Sequence, residues 1–191
     1  FDTRVPKQDI IAKVAKILTK AQMNPSKAKL LGVINKNGDD ISPLAFRGTP
    51  VICIHGNHDR RSKHLINPVQ MLEHAGLILH LHLATAVFEI DGEKVAIHGM
   101  SAVPEREAKS ILELWSPKPV EDAKNIMMIH QNITPYIYNP LEPPSLKLED
   151  LPTATRAAQA GESSDLTPLL DVILEKVPVA SVGVDKPLRV Q

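Results

Sequence analysis

The residues of this chain with the most chemical potential gather at the ends of two apolar runs. "VICI", from Val51 to Ile54, leads into His55-Gly56-Asn57-His58-Asp59, and "IMMI", from Ile126 to Ile129, leads into His130-Gln131-Asn132. An asparagine amide oxygen and an imidazole nitrogen are both donors that a divalent metal accepts. Histidine can also hold or release a proton near neutrality. Gly56 would give the turn conformational freedom. A rigid strand delivers loop side chains to a fixed point, so two such strand ends could converge on one site. The positive cluster Arg60, Arg61, Lys63 and His64 follows at once, and it reads either as a solvated loop or as a contact for a phosphate backbone.

The other histidines read as structural. His80-Leu81-His82 lies within an apolar run and lacks a preceding glycine, which suits an edge position better than metal ligation. His55 and His98 are read in the same way, and Cys53, inside "VICI", as a core residue.

Several elements must position these residues. "PKQDIIAKVAKILTK", from Pro6 to about Lys20, sets Ile10, Val14, Ile17 and Leu18 on one face, which predicts an amphipathic helix with proline in its first turn. The segment up to Pro50 carries turn formers at Asn24-Pro25, Asn37-Gly38 and Ser42-Pro43 and reads as irregular with one short strand. "VICI" and "NIMMI" read as short buried strands. "INPVQMLEHAG" reads as a short helix, "TAVFEIDGEKVAIHG" as two strands about an Asp91-Gly92 turn, and "VPEREAKSILELW" as a helix with Pro104 in its first turn. Strands interleaved with helices and hairpins predict an α/β layered domain over residues 1–152. Residues 153–191 read as a linker, a helix opened by Thr167-Pro168 and an extended tail.

Composition narrows the function classes. The sequence balances 22 Lys and Arg against 22 Asp and Glu, so affinity for nucleic acid would need a local patch. A single cysteine excludes an intramolecular disulfide and suits a reducing cytoplasm. Neither a signal peptide nor an apolar run approaching about 20 residues is present, which predicts a protein with no membrane partner.

"GNHD" after an apolar strand resembles the third signature of the calcineurin-like metallophosphoesterases. The stretches "FDTRVPKQDIIAKVAKIL", "GNHDRRSKHLINPVQMLEHAG", "EIDGEKVAIHGMSAVPE" and "MMIHQNITPYIYNPLEPPSLKLEDLP" resemble, more narrowly, an archaeal member of the Mre-eleven family of DNA double-strand-break repair nucleases. The resemblance covers 1–152 of the 191 residues. It implies a calcineurin-like α/β sandwich and metal-dependent exonuclease or endonuclease chemistry. Two Mn²⁺ ions, or Mg²⁺, would act about 4 Å apart. It further implies Asn57 and His130 as ligands of one metal and His58 as the residue that orients or protonates the leaving oxygen. Arg60, Arg61 and Lys63 would meet DNA. A homodimer formed through the first two helices and a Rad-fifty-type ATPase partner are also implied.

The chain departs from the family pattern. The Asp-x-His signature is absent, Phe1-Asp2 reads as the tail of Gly-Asp-x-Phe, and Gly-His-x-His does not follow "LEDLP". The sandwich would therefore be incomplete at both ends. That leaves open a catalytically incomplete scaffold that dimerises or binds DNA, or a phosphoesterase acting on nucleotides or other phosphate esters. The tail "SSDLTPLLDVILEKVPVASVGVDKPLRVQ" resembles a segment of BipA/TypA-type translational GTPases, yet no phosphate-loop motif accompanies it.

Overall fold

The computed structural model describes residues 5–59, 66–134 and 146–152. The first helix, α1, spans Gln8–Met23 and begins after Lys7, so Pro6 precedes the helix instead of lying in its first turn. Val14, Ala15 and Leu18 pack toward the core, but Ile10 and Ile17 remain exposed, which divides the apolar stripe expected from the sequence. The strand β1 (Lys29–Ile34) follows, then two short 3-10 turns, Gly38–Asp40 and Pro43–Phe46. Each turn is opened by a side chain that accepts a backbone N–H, Asn37 in the first and Ser42 in the second.

β2 is Ile52–Cys53 and leads toward α2, Pro68–His74. Asn67 starts that helix with a reciprocal cap. Its Oδ1 accepts the Gln70 N–H at 2.7 Å, and its own N–H donates to Gln70 Oε1 at 3.1 Å. β3 (Leu79–His80) is followed by the hairpin of β4 (Ala84–Ile90) and β5 (Glu93–Met100), turned by Asp91 and Gly92 in the left-handed region. A 3-10 turn at Glu105–Glu107, preceded by Pro104, enters α3 (Ala108–Trp115), which stops at Ser116, with φ 42°. β6 (Ala123–Ile129), β7 (Ile133–Thr134) and β8 (Leu146–Lys147) follow, and a 3-10 turn at Leu148–Asp150 completes the described elements.

β1, β4, β5 and β6 form one mixed sheet in that order, antiparallel except for the parallel β5–β6 pair. β2 pairs in parallel with β3, and β7 with β8. Leu79, Leu81, Ala84, Ala86 and Phe88 make the central core with Ile52, Ile54 and Ile97, joining the large sheet to the β2–β3 pair. A second cluster, including Met100, Val103, Ala108 and Leu112, seats α3. A third, of Val69, Leu72 and Ile78, seats α2 against α1.

Two expectations change. "VICI" and "IMMI" were expected to be buried, but β2 is half-buried and β6 carries an exposed Ile126. Among the described residues β2 has a single strand neighbour and β6 is the sheet's edge, so neither is covered on all sides. Cys53 is likewise half-buried, and burial pushes its thiol up from the ordinary value.

The join between the large sheet and the β2–β3 pair is close at Gly99. A Cβ there would overlap that of Leu81 and stand 3.3 Å from Ile54 Cγ2. Gly99→Ala is expected to destabilise the fold by about 1–3 kcal/mol through overpacking. Gly32→Ala, at a position with open space around it, provides the control. Equal denaturation midpoints for the two variants would rule this out.

The mixed α/β architecture with a mixed sheet is consistent with a metallophosphoesterase-like fold. The linker, helix and tail expected over 153–191 lie outside the described residues.

Candidate metal centre

The strands bring the two motifs together by backbone pairing that continues past their ends. The Ala102 N–H donates to the His55 carbonyl at 2.8 Å, and the His130 N–H to the Met100 carbonyl at 3.2 Å. The chain leaving β2 thus lies beside the chain leaving β5, which lies beside the end of β6. The loop after His55 then passes over His130. A Cβ built at Gly56 would stand 3.3 Å from His130 Cε1 and 3.4 Å from its Nε2.

Asp59 closes this loop. Its Oδ2 accepts the Gly56 N–H at 3.1 Å, and its own N–H donates to the Gly56 carbonyl at 3.1 Å. The Asp59 carboxylate is buried, whereas Asn57, His58 and His130 are exposed. A buried carboxylate under a tight turn directs the two intervening side chains toward solvent. The chemistry expected of Asn57, His58 and His130 is therefore accessible at one end of the sheet. Arg60, Arg61 and Lys63 lie outside the described residues.

Gly56 has a different role from the expected one. Its φ is not in the left-handed region, where Gly76 and Gly92 alone are found among the described glycines. A side chain at this position would crowd the His130 ring, so close approach and not a left-handed backbone distinguishes the glycine. Gly56→Ala is expected to displace that ring by a few tenths of an ångström and, where His130 holds a metal ion, to weaken Mn²⁺ binding about tenfold. Titration calorimetry measures this directly, and an unchanged affinity would remove His130 from the donor set.

Behind the loop His55 and His80, expected from the sequence to be structural, join a polar network with Ser101, Glu73 and Lys36. His55 Nδ1 and His80 Nε2 share a hydrogen bond of 2.9 Å, and the His55 N–H donates to Ser101 Oγ at 3.1 Å. The Ser101 hydroxyl donates to the Leu81 carbonyl at 2.8 Å, and the His80 N–H donates to Glu73 Oε1 at 2.8 Å. Lys36 pairs with Glu73 at 3.1 Å. Burial, and then the positive charge of His55, Lys36 and His82, lowers the His80 pKa to about 3, so this imidazole is neutral at physiological pH. His82 stays exposed, with its ring 5.1 Å from that of His55. His98 is buried in the large sheet between Thr85 (2.8 Å) and Asn125 (3.0 Å). No sequence signal marked Ser101, because a buried serine is recognised only through what it touches.

Among the described residues, no three His, Cys, Asp or Glu side chains stand close enough together to hold a metal ion. The amide oxygen of Asn57 and the imidazole of His130 suit a hard divalent ion by donor type, but as two donors they leave most of its coordination to other groups. No helix among the described residues is long and apolar enough to cross a membrane.

No family model matches the chain. It is similar to the DNA double-strand break repair protein Mre11 of Methanopyrus kandleri, with 33% identity over 107 residues that cover 49% of this chain and 23% of that protein. The Mre11 of Sulfurisphaera tokodaii is 30% identical over 132 residues, covering 68% of this chain and 32% of that protein. The MRE11 of Encephalitozoon cuniculi is 27% identical over 100 residues, covering 45% and 18%. The chain thus spans about a third or less of the length of these relatives. Nothing in these similarities bears on the translational-GTPase resemblance of the tail. Together with the two motifs meeting at one end of the sheet, they support an Mre11-like nuclease family for this chain.

Proposed function

We propose that residues 1–152 are part of a calcineurin-like layered sandwich that hydrolyses DNA phosphodiesters with Mn²⁺ or Mg²⁺ in double-strand-break repair. The carrying observation is the passage of the Gly56–Asp59 loop over His130, which brings the loop holding Asn57 and His58 beside the end of β6. In this reading Asn57 and His130 hold a divalent ion, and His58 orients the scissile phosphate or protonates its leaving oxygen. A bound ion supplies an activated water and neutralises charge on the oxygens of the reacting phosphate. Arg60, Arg61 and Lys63, next along the chain, hold the DNA backbone through contacts that do not depend on sequence. Dimerisation through α1 and α2, and a Rad-fifty-type ATPase partner, belong to the same reading. So does a cytoplasmic location.

The small donor set favours a second reading, in which this chain is a scaffold of the same fold that binds DNA or dimerises without completing the reaction. Cleavage of linear duplex DNA by the purified chain, measured with Mn²⁺, with Mg²⁺ and after chelation, separates the two. Cleavage that requires added metal supports the nuclease. DNA binding without cleavage under every metal condition supports the scaffold.

A further inference from the structure

The loop carrying Asn57 and His58 is not held by its own turn alone. Its entry residue, His55, is fixed at three points, and two of them lead to side chains outside the loop. The backbone N–H is bound by Ser101 Oγ at 3.1 Å, and the carbonyl accepts from the Ala102 N–H at 2.8 Å. The ring meets His80 at 2.9 Å.

Ser101 is fully buried, and its hydroxyl is spoken for on both sides: it donates to the Leu81 carbonyl and accepts from His55. A hydroxyl anchored to a fixed carbonyl cannot turn away, so it sets the height of the His55 backbone over the sheet. His80, 4% exposed, is tied through its backbone to Glu73, itself buried and paired with Lys36. The loop entry is thereby connected to α2 and β3 on one side and to the end of β5 on the other.

We propose that Ser101 and His80 are positioning residues: by clamping the backbone and ring of His55 they set where the next three residues place Asn57 and His58 relative to His130. The proposal rests on the nuclease reading for its functional meaning, but its geometry can be tested without it. A buried polar group left unsatisfied is costly, so removing either partner should be relieved by movement of the His55 segment, the part of the network nearest solvent.

The test compares Ser101→Ala and His80→Leu with His98→Leu in the full chain by two-dimensional NMR and amide hydrogen exchange. His98 is equally buried and makes its own two hydrogen bonds within the sheet, so its variant reports a general loss of stability. Under conditions where all variants remain folded, Ser101→Ala and His80→Leu are expected to shift the Asn57 and His58 signals. They should also speed exchange of the Gly56 and Asp59 amides at least tenfold. His80→Gln, which keeps a hydrogen-bonding group, should restore part of the native pattern, and His98→Leu should leave it in place. Ser101→Cys, of nearly the same size, carries the comparison if Ser101→Ala does not fold. Native loop signals in both test variants would overturn the proposal, as would equal changes in the His98 variant. Mn²⁺ added to the native chain separately tests the metal reading by broadening the Asn57 and His130 signals. Without such broadening the metal reading fails, while a loop that moves as expected still establishes the clamp.

Discussion

His58→Ala is expected to lower metal-dependent DNA cleavage by about 10²–10⁴-fold while leaving Mn²⁺ affinity nearly unchanged. The sugar oxygen that leaves a DNA phosphodiester is strongly basic and departs far more easily if it is protonated as the bond breaks. In the nuclease reading the exposed imidazole of His58, next to Asn57 in the chain, supplies that proton. Because His58 is assigned no ligand role, its loss should appear in kcat and not in metal binding. A nitrophenyl phosphodiester gives the sharper comparison, since nitrophenolate leaves without much protonation. Its cleavage should be far less sensitive to the substitution. Equal losses on both substrates would mean that the variant disrupts the site generally, and full activity on DNA would remove His58 from the reaction.

Acid is expected to destabilise the fold well before the carboxylates are neutralised, and His80 is the reason. In the folded chain its pKa lies at about 3, lowered first by burial and then by the nearby charges of His55, Lys36 and His82. In the unfolded chain it returns to the ordinary value near 6.5. Above the unfolded value neither state binds the proton, so His80 adds no pH dependence there. As the pH falls from about 6.5 toward 3, the unfolded chain takes up a proton that the native state refuses, and folding stability falls. Between pH 7 and pH 5 this one residue should cost about 2 kcal/mol. Urea denaturation at a series of pH values measures the slope, and His80→Leu should flatten it. An equally steep slope in that variant would show that another group governs the acid response.

Much of the local structure was legible from spacing alone. "INPVQMLEHAG", with Pro68 near its start and Gly76 just past its end, specified α2, and the Asp91-Gly92 pair between two strand-like runs specified the β4–β5 hairpin. In both cases the deciding interactions lie within a few residues, so local sequence contains them. α1 was less fully legible. Periodicity placed Ile10, Val14, Ile17 and Leu18 on one face, but only Val14 and Leu18 of these reach the cluster around α2. Periodicity gives the direction of a stripe but not how much of it a neighbouring helix will cover.

The candidate site divides in the same way. The sequence by itself marked the candidates: "GNHD" and "HQN" after apolar runs singled out Asn57, His58 and His130, because strand-end motifs are written in consecutive residues. Only the tertiary structure decided that the loop passes over His130, that Gly56 sits tightly against that ring, and that Ser101 and His80 hold His55 at the loop entry. Those contacts join residues 25 to 74 positions apart, brought together by the order β1–β4–β5–β6 and by the pairing of β2 with β3. A sequence motif names the atoms that could react. Strand order and close packing determine which of them meet, since side-chain distances depend on backbone paths that no local pattern encodes.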